Sequence, residues 1–150
     1  MLKVFFSFSA QAIEVITHNE VSEQTLTTSK LRRIYTMRQL HWADGRVISV
    51  FVLPSQHELH KNFSKERLQI FPYQLNRIWH KLTYSGLGVA PTVVNSPEEL
   101  IQAVMKTPGS IGYASEVSLA KILTNIKDKN DDNEEIDSGK GVVHVVTIKG

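Results

Sequence analysis

The chain has 150 residues, 41% of them hydrophobic, enough to build the core of one ordinary packed domain. Its net charge of +2 is the small remainder of 17 basic and 15 acidic side chains scattered along the sequence, a pattern that argues against nucleic acid as a partner. It holds no cysteine, which excludes disulfides, thiolate metal sites and cysteine nucleophiles, and no run approaches the roughly 20 apolar residues that a membrane-spanning helix needs.

The N-terminus reads in two ways. Lys3 precedes an apolar stretch, Val4-Phe5-Phe6-Ser7-Phe8, and then Ser9-Ala10-Gln11-Ala12, whose small residues at positions 10 and 12 have the form expected before a signal-peptidase cut. On that basis residues 1–12 are a short signal peptide cleaved after Ala12, the chain is exported to the periplasm, and residues 13–150 form one domain. Because the apolar stretch is short for a signal core, the alternative is an ordinary first strand.

From Ile13 to Thr17 apolar and polar residues alternate and β-branched side chains dominate, as in a strand with one buried face. Thr27 or Thr28 can cap a helix with Leu31, Ile34 and Tyr35 at helical spacing, ending near Met37. Ala43-Asp44-Gly45 is a turn signal, and Val47 to Leu53 is nearly continuous in apolar residues, which suits a strand covered on both faces. Pro54 stops it, and Ser55 can cap a helix running through Leu59 and Phe63. A further amphipathic helix carries Leu75, Ile78, Trp79 and Leu82, and Gly86 with Gly88 ends it ahead of a short strand, Thr92-Val93-Val94. Ser96-Pro97-Glu98-Glu99 is a helix start with a capping serine, proline at the first helical position and glutamate three residues after the cap.

Pro108-Gly109-Ser110 breaks that helix, and Ile111-Gly112-Tyr113 suits a central strand. A helix over Glu116–Thr124 gives way to a polar, flexible loop at about 125–141, which lacks the alternate ligand spacing and central glycine of a calcium loop. Val142 to Ile148 is a closing strand. Strands alternating with helices predict an α/β fold of three α-β-α layers with a largely parallel or mixed sheet.

Two blocks carry a family resemblance. Leu26 to Tyr35 followed by Trp42-Ala43-Asp44-Gly45, and Trp79 to Gly88 followed by Pro108-Gly109-Ser110-Ile111-Gly112-Tyr113, resemble in order and spacing the corresponding segments of phosphate-type periplasmic solute-binding proteins. The resemblance implies a periplasmic binding protein-like fold of type II, in which two α/β lobes normally close over a tetrahedral oxyanion, linked to ABC transport. This chain has about the length of one lobe. Where the family places an arginine and a Ser-Gly-Thr turn at a helix start, it reads Leu53-Pro54-Ser55-Gln56-His57-Glu58.

The candidate ligand-binding residues are therefore Ser55, Gln56 and His57, at a helix N-terminus whose open N–H groups and positive dipole end favour an anion. Ser55 reads either as a cap alone or as a cap that also touches ligand. The arginine and the glycine of the family turn are missing, and Glu58 opposes an anion. His57 and His60 have a helical spacing that metal sites use, but no third ligand accompanies them, and neither metal nor cofactor is expected. Arg32, Arg33, Arg38 and His41 form a basic cluster that suits a solvated helix face or, alternatively, a docking surface. Trp42 and Trp79 suit packing, and Gly109 and Gly112 suit backbone geometry. Ser, His and Asp residues occur in no catalytic motif, so no enzyme is expected. Two functions follow: binding of a small oxyanion such as phosphate, or a ligand-free module docking on a membrane sensor or transporter.

Overall fold

All six residues of the strand Ser110–Ser115 are buried, and a strand with no solvent-facing side needs cover on both faces. In the computed structural model of the protein, which describes residues 12–130 and 143–150, helices supply that cover. In chain order the elements are β1 (Ile13–Thr17), β2 (Thr25–Thr27), α1 (Thr28–Tyr35), β3 (Ser49–Val52) and α2 (Glu58–Phe63), which runs into a π-helical turn (Ser64–Leu68). They continue with α3 (Pro72–Ser85), β4 (Thr92–Val93), α4 (Pro97–Lys106), β5 (Ser110–Ser115), α5 (Glu116–Asn130) and β6 (His144–Lys149). The leader expected over residues 1–12, save Ala12, and the polar segment 131–142 lie outside the described residues.

The strands form one sheet in the order β2-β6-β1-β5-β3-β4. β3 pairs in parallel with β5 and with β4, and β2 pairs in parallel with β6. β1 runs antiparallel to both β5 and β6, so the sheet is mixed rather than largely parallel. The physical reason is an insertion: β5, α5 and β6 make one crossover unit, and the N-terminal strand lies between its two parallel strands.

Side chains of β5 assign the layers. Tyr113 stacks on Phe63 of α2, with ring centroids 4.0 Å apart, and tilts against Tyr35 of α1. Its neighbour Gly112 faces the other way, where an added Cβ would stand 2.5 Å from Leu100 Cδ2 and 2.9 Å from Val104 Cγ2 of α4. Thus α1 and α2 cover one face and α4 the other, giving three α-β-α layers.

Local signals set the helix ends. Thr27 Oγ1 accepts the Lys30 N–H at 3.0 Å, and Ser96 Oγ accepts the Glu99 N–H at 3.2 Å. The Glu99 carboxylate reaches back to the Asn95 N–H, one residue before the cap. Gly86, at φ +68°, closes α3 as expected. Some boundaries differ from expectation. β3 starts at Ser49, because Val47 bridges to His41 across the Trp42–Arg46 turn. α5 continues past Thr124 to Asn130, with Ile122 and Ile126 four residues apart and Lys127 and Lys129 in its last turn.

The two blocks that carry the family resemblance touch. Trp42 Nε1 donates to Gly109 O at 2.8 Å, which ties the tryptophan turn to the chain entering β5. Trp79 Nε1 donates to Tyr35 O at 2.8 Å and fixes α3 to the end of α1. Both tryptophans are buried packing residues with one satisfied donor each.

Candidate functional site

β3 and β5 are parallel, and the chain leaves both at the same edge of the sheet, where α2 and α5 begin. Open α/β sheets hold ligands outside the carboxyl ends of their strands, because helix N-termini with open N–H groups collect there. A cleft of about 320 Å³ lies at this edge. The first residues of α2, Pro97 at the start of α4, and Ser115 with Ser118 at the start of α5 all line it. The positive dipole ends of these helices face a common space.

Among the three residues singled out in the sequence, only His57 lines that cleft. Ser55 is not the cap of α2. Pro54 to His57 form a tight turn, closed by His57 N–H donating to Pro54 O at 2.9 Å, and this delays the helix start to Glu58. His57 is the cap instead: its Nδ1 accepts the Leu59 N–H at 3.1 Å. Ser55 Oγ turns toward α3 and donates to Asn76 Oδ1 at 3.1 Å, while Gln56 is exposed.

The sequence reading missed Ser115 and Ser118, although the Ser-x-x-Ser spacing before a helix was available as a cap signal. Ser115 Oγ accepts the Ser118 N–H at 3.2 Å, and the two hydroxyls lie 3.0 Å apart. The charges that line the cleft are Glu58 and Glu66. A guanidinium stands close by, but both Arg67 Nε and Nη2 donate to the Ile13 carbonyl, at 3.0 and 2.7 Å. The arrangement therefore combines hydroxyls and helix N-termini, which suit an oxyanion, with two carboxylates, which repel one.

Directly behind the β3–α2 turn is a buried polar group of three residues. Tyr113 OH accepts the Leu53 N–H at 2.9 Å and lies 2.6 Å from His60 Nδ1. Burial pushes the phenol well above its ordinary value, so the oxygen keeps its proton and donates it to His60. Burial, with a smaller contribution from His57, pushes His60 down to about 4. His60 is thus a neutral acceptor at Nδ1 and carries its proton on Nε2, which has no partner among the described residues. Because both histidines commit Nδ1 to internal bonds, the His57/His60 spacing serves the turn and the core.

No protein-family model matches the sequence, and neither does any curated protein. Solved structures do match in fold. The chain is similar to a Clostridium perfringens protein assigned as a phosphate ABC transporter substrate-binding protein and solved with bound phosphate, with a TM-score of 0.62 and 17% identity over 92% of this chain and 45% of that one. It is similar to PstS from Borrelia burgdorferi, with a TM-score of 0.61 and 18% identity over 93% of this chain and 48% of that one. A third match is an ABC-type phosphate transport receptor from Vibrio cholerae, with a TM-score of 0.60 and 14% identity over 92% of this chain and 46% of that one. The chain spans just under half the length of each of these proteins. Over that span it has the fold of phosphate-type substrate-binding proteins, as the blocks between Leu26 and Ser115 led one to expect.

Proposed function

We propose that the chain is a non-enzymatic solute-binding module, exported to the periplasm and linked to ABC transport, that holds a small oxyanion such as phosphate in the cleft at the carboxyl edge of its sheet. The observation that supports this is the convergence of the α2 and α5 N-termini, with the Ser115 and Ser118 hydroxyls, on one cleft. His57 takes part as the residue that shapes the α2 end, and Ser55 ties the turn before it to α3 through Asn76. Among the described residues no helix is long and apolar enough to cross a membrane.

The charges of the cleft favour a second reading. Glu58 and Glu66 stand where an anion would approach, and the nearest guanidinium, Arg67, is committed to a carbonyl. A module with that chemistry docks on a membrane sensor or transporter without carrying a ligand. The two readings separate in one experiment. The melting temperature is measured with millimolar phosphate, sulfate or chloride at matched ionic strength, for the natural protein and for the Glu58→Gln/Glu66→Gln variant. A ligand in hundredfold excess over its Kd adds about 2.7 kcal/mol, a rise of several degrees. The oxyanion reading expects a rise specific to phosphate or sulfate that grows in the variant, because two repulsive charges are gone. No rise in either protein with any anion leaves the docking reading.

A further inference from the structure

Folding gathers charge that looks scattered along the sequence. From Gln24 to Ala43, and again from Arg67 to Pro97, the chain carries no acidic residue. These stretches hold α1 and α3, which both pack against the π-helical turn. Arg33, Lys65, Arg77, His80 and Lys81 are exposed on these elements, and none pairs with a carboxylate among the described residues. Arg32, between them, holds the assembly together by donating to Leu68 O and Gln69 Oε1.

Apolar surface lies among these side chains. A groove of about 660 Å³ runs along α3, with half-buried Ile70 and Ile78 on its floor and Arg77, His80 and Lys81 on its walls. At its N-terminal end Phe71 and Tyr73 stack on each other in solvent, 57% and 60% exposed, with ring centroids 5.8 Å apart. Solvated helix faces do not usually display a stacked aromatic pair, whereas interfaces enrich aromatic residues at their cores.

We propose that the α3 groove docks an acidic segment of a partner protein that carries a large apolar side chain. Arg77 and Lys81 on the walls select the acidic flanks, the groove admits the apolar anchor, and Phe71 with Tyr73 covers it. A flat anionic bilayer would meet the same cations, but Ile70 and Ile78 are half-buried between them and offer it little apolar contact. The inference names the partner chemistry for the docking reading. It shares no lining residue with the cleft, so it does not rest on anion binding there.

The test uses the full chain and two fluorescent octapeptides, Glu-Asp-Glu-Trp-Leu-Asp-Glu-Asp and the same peptide with Ser in place of Trp and Leu. The first should bind at least about tenfold more tightly than the second, and high salt should weaken it. Arg77→Glu/Lys81→Glu should weaken it by about tenfold or more, while the charge-conserving Arg77→Lys/Lys81→Arg should retain it. Both positions are solvent-exposed, so an unchanged melting temperature verifies that the variants are folded. Amide shifts on binding should map to Ile70, Phe71, Tyr73 and Ile78.

Equal binding of the two peptides, or binding indifferent to the charge reversal, overturns the proposal. Shifts centred on Leu87 and Val89 would overturn this surface and keep the docking reading. Capture by phosphatidylglycerol vesicles without peptide binding would assign the cations to lipid, and self-association abolished by the charge reversal would assign the face to a second copy of the chain.

Discussion

Replacing Tyr113 with Phe removes one oxygen and nothing else. The ring stays, so the stacking on Phe63 at 4.0 Å and the tilted contacts with Tyr35 and His60 are preserved. What is lost is the partner of two buried groups, the Leu53 N–H at 2.9 Å and His60 Nδ1 at 2.6 Å. Stranding a buried polar group costs about 1–3 kcal/mol, so Tyr113→Phe, which strands two, should destabilise the protein by about 2–6 kcal/mol. For a domain of this size each kcal/mol lowers the melting temperature by roughly 2–4 °C. Urea unfolding at pH 8 measures the loss directly, with an unchanged slope as the sign that the folded state is otherwise intact. Repeating the substitution in a His60→Leu background removes one of the two stranded groups, so the penalty should fall by about 1 kcal/mol or more. A loss below about 0.5 kcal/mol in the natural background would mean that Leu53 and His60 find other partners. It would refute the assignment of Tyr113 as the residue that ties the β3–α2 turn to the central strand.

Two further predictions come from the same core. His60 is held down to about 4, against an ordinary 6.5, so the unfolded chain takes up its proton at a higher pH than the folded one. Stability from this group is complete above pH 6.5 and is lost as pH falls toward 4, amounting to about 3 kcal/mol. The difference between the natural protein and His60→Leu in urea midpoints across that range isolates the effect, and a constant difference would refute it. At Gly109, φ is +77° and an added Cβ would stand 2.6 Å from Val47 O, so Gly109→Ala must both strain and displace backbone. Gly112→Ala meets only the side chains of Leu100 and Val104, so Leu100→Ala should relieve part of its cost of about 1–3 kcal/mol, while nothing comparable rescues Gly109→Ala. Equal rescue at both positions by side-chain truncation would contradict this distinction, with urea unfolding again the measurement.

The parts of the fold legible in the sequence are those whose signal is local. Ser96 followed by Pro97 and Glu99 announced α4, and Gly86 announced the end of α3, because a cap or a left-handed turn is decided by a few adjacent residues. The antiparallel placement of β1 was not legible, since strand order depends on which distant strands meet, and alternation in Ile13–Thr17 says only that one face is buried. β2 escaped notice because its three residues pair with β6, far along the chain. A serine after proline has the right chemistry for a cap, which is why Ser55 reads as one in the sequence. The tight turn closed by the His57 N–H shifted that role by two residues to a side chain with an equally good acceptor. Of the residues that line the cleft, His57 could be named from the sequence, whereas Ser115 and Ser118 join it only because β5 delivers α5 to the same edge.

The residues that carried the family resemblance do structural work, and this governs what the resemblance can imply. Trp42 bonds to Gly109, Gly112 makes room for α4, Tyr113 braces the β3–α2 turn, and Trp79 bonds to the end of α1. Each would be retained by any chain keeping this architecture, whatever it bound. The turn between β3 and α2, where the resemblance would place a ligand, is where the sequence departs from the pattern: it carries no arginine there and has Glu58. The helix dipoles at the cleft still favour an anion by geometry, since they belong to the backbone and survive side-chain substitution, although the Leu59 and Ser118 N–H groups are taken by His57 Nδ1 and Ser115 Oγ. Charge then decides how strongly. Removing Glu58 and Glu66 is therefore a sharper probe than restoring the family's arginine, because neutralising repulsion changes only the electrostatics of a cleft that already exists. A new guanidinium would also have to be accommodated by the tight turn at Pro54–His57.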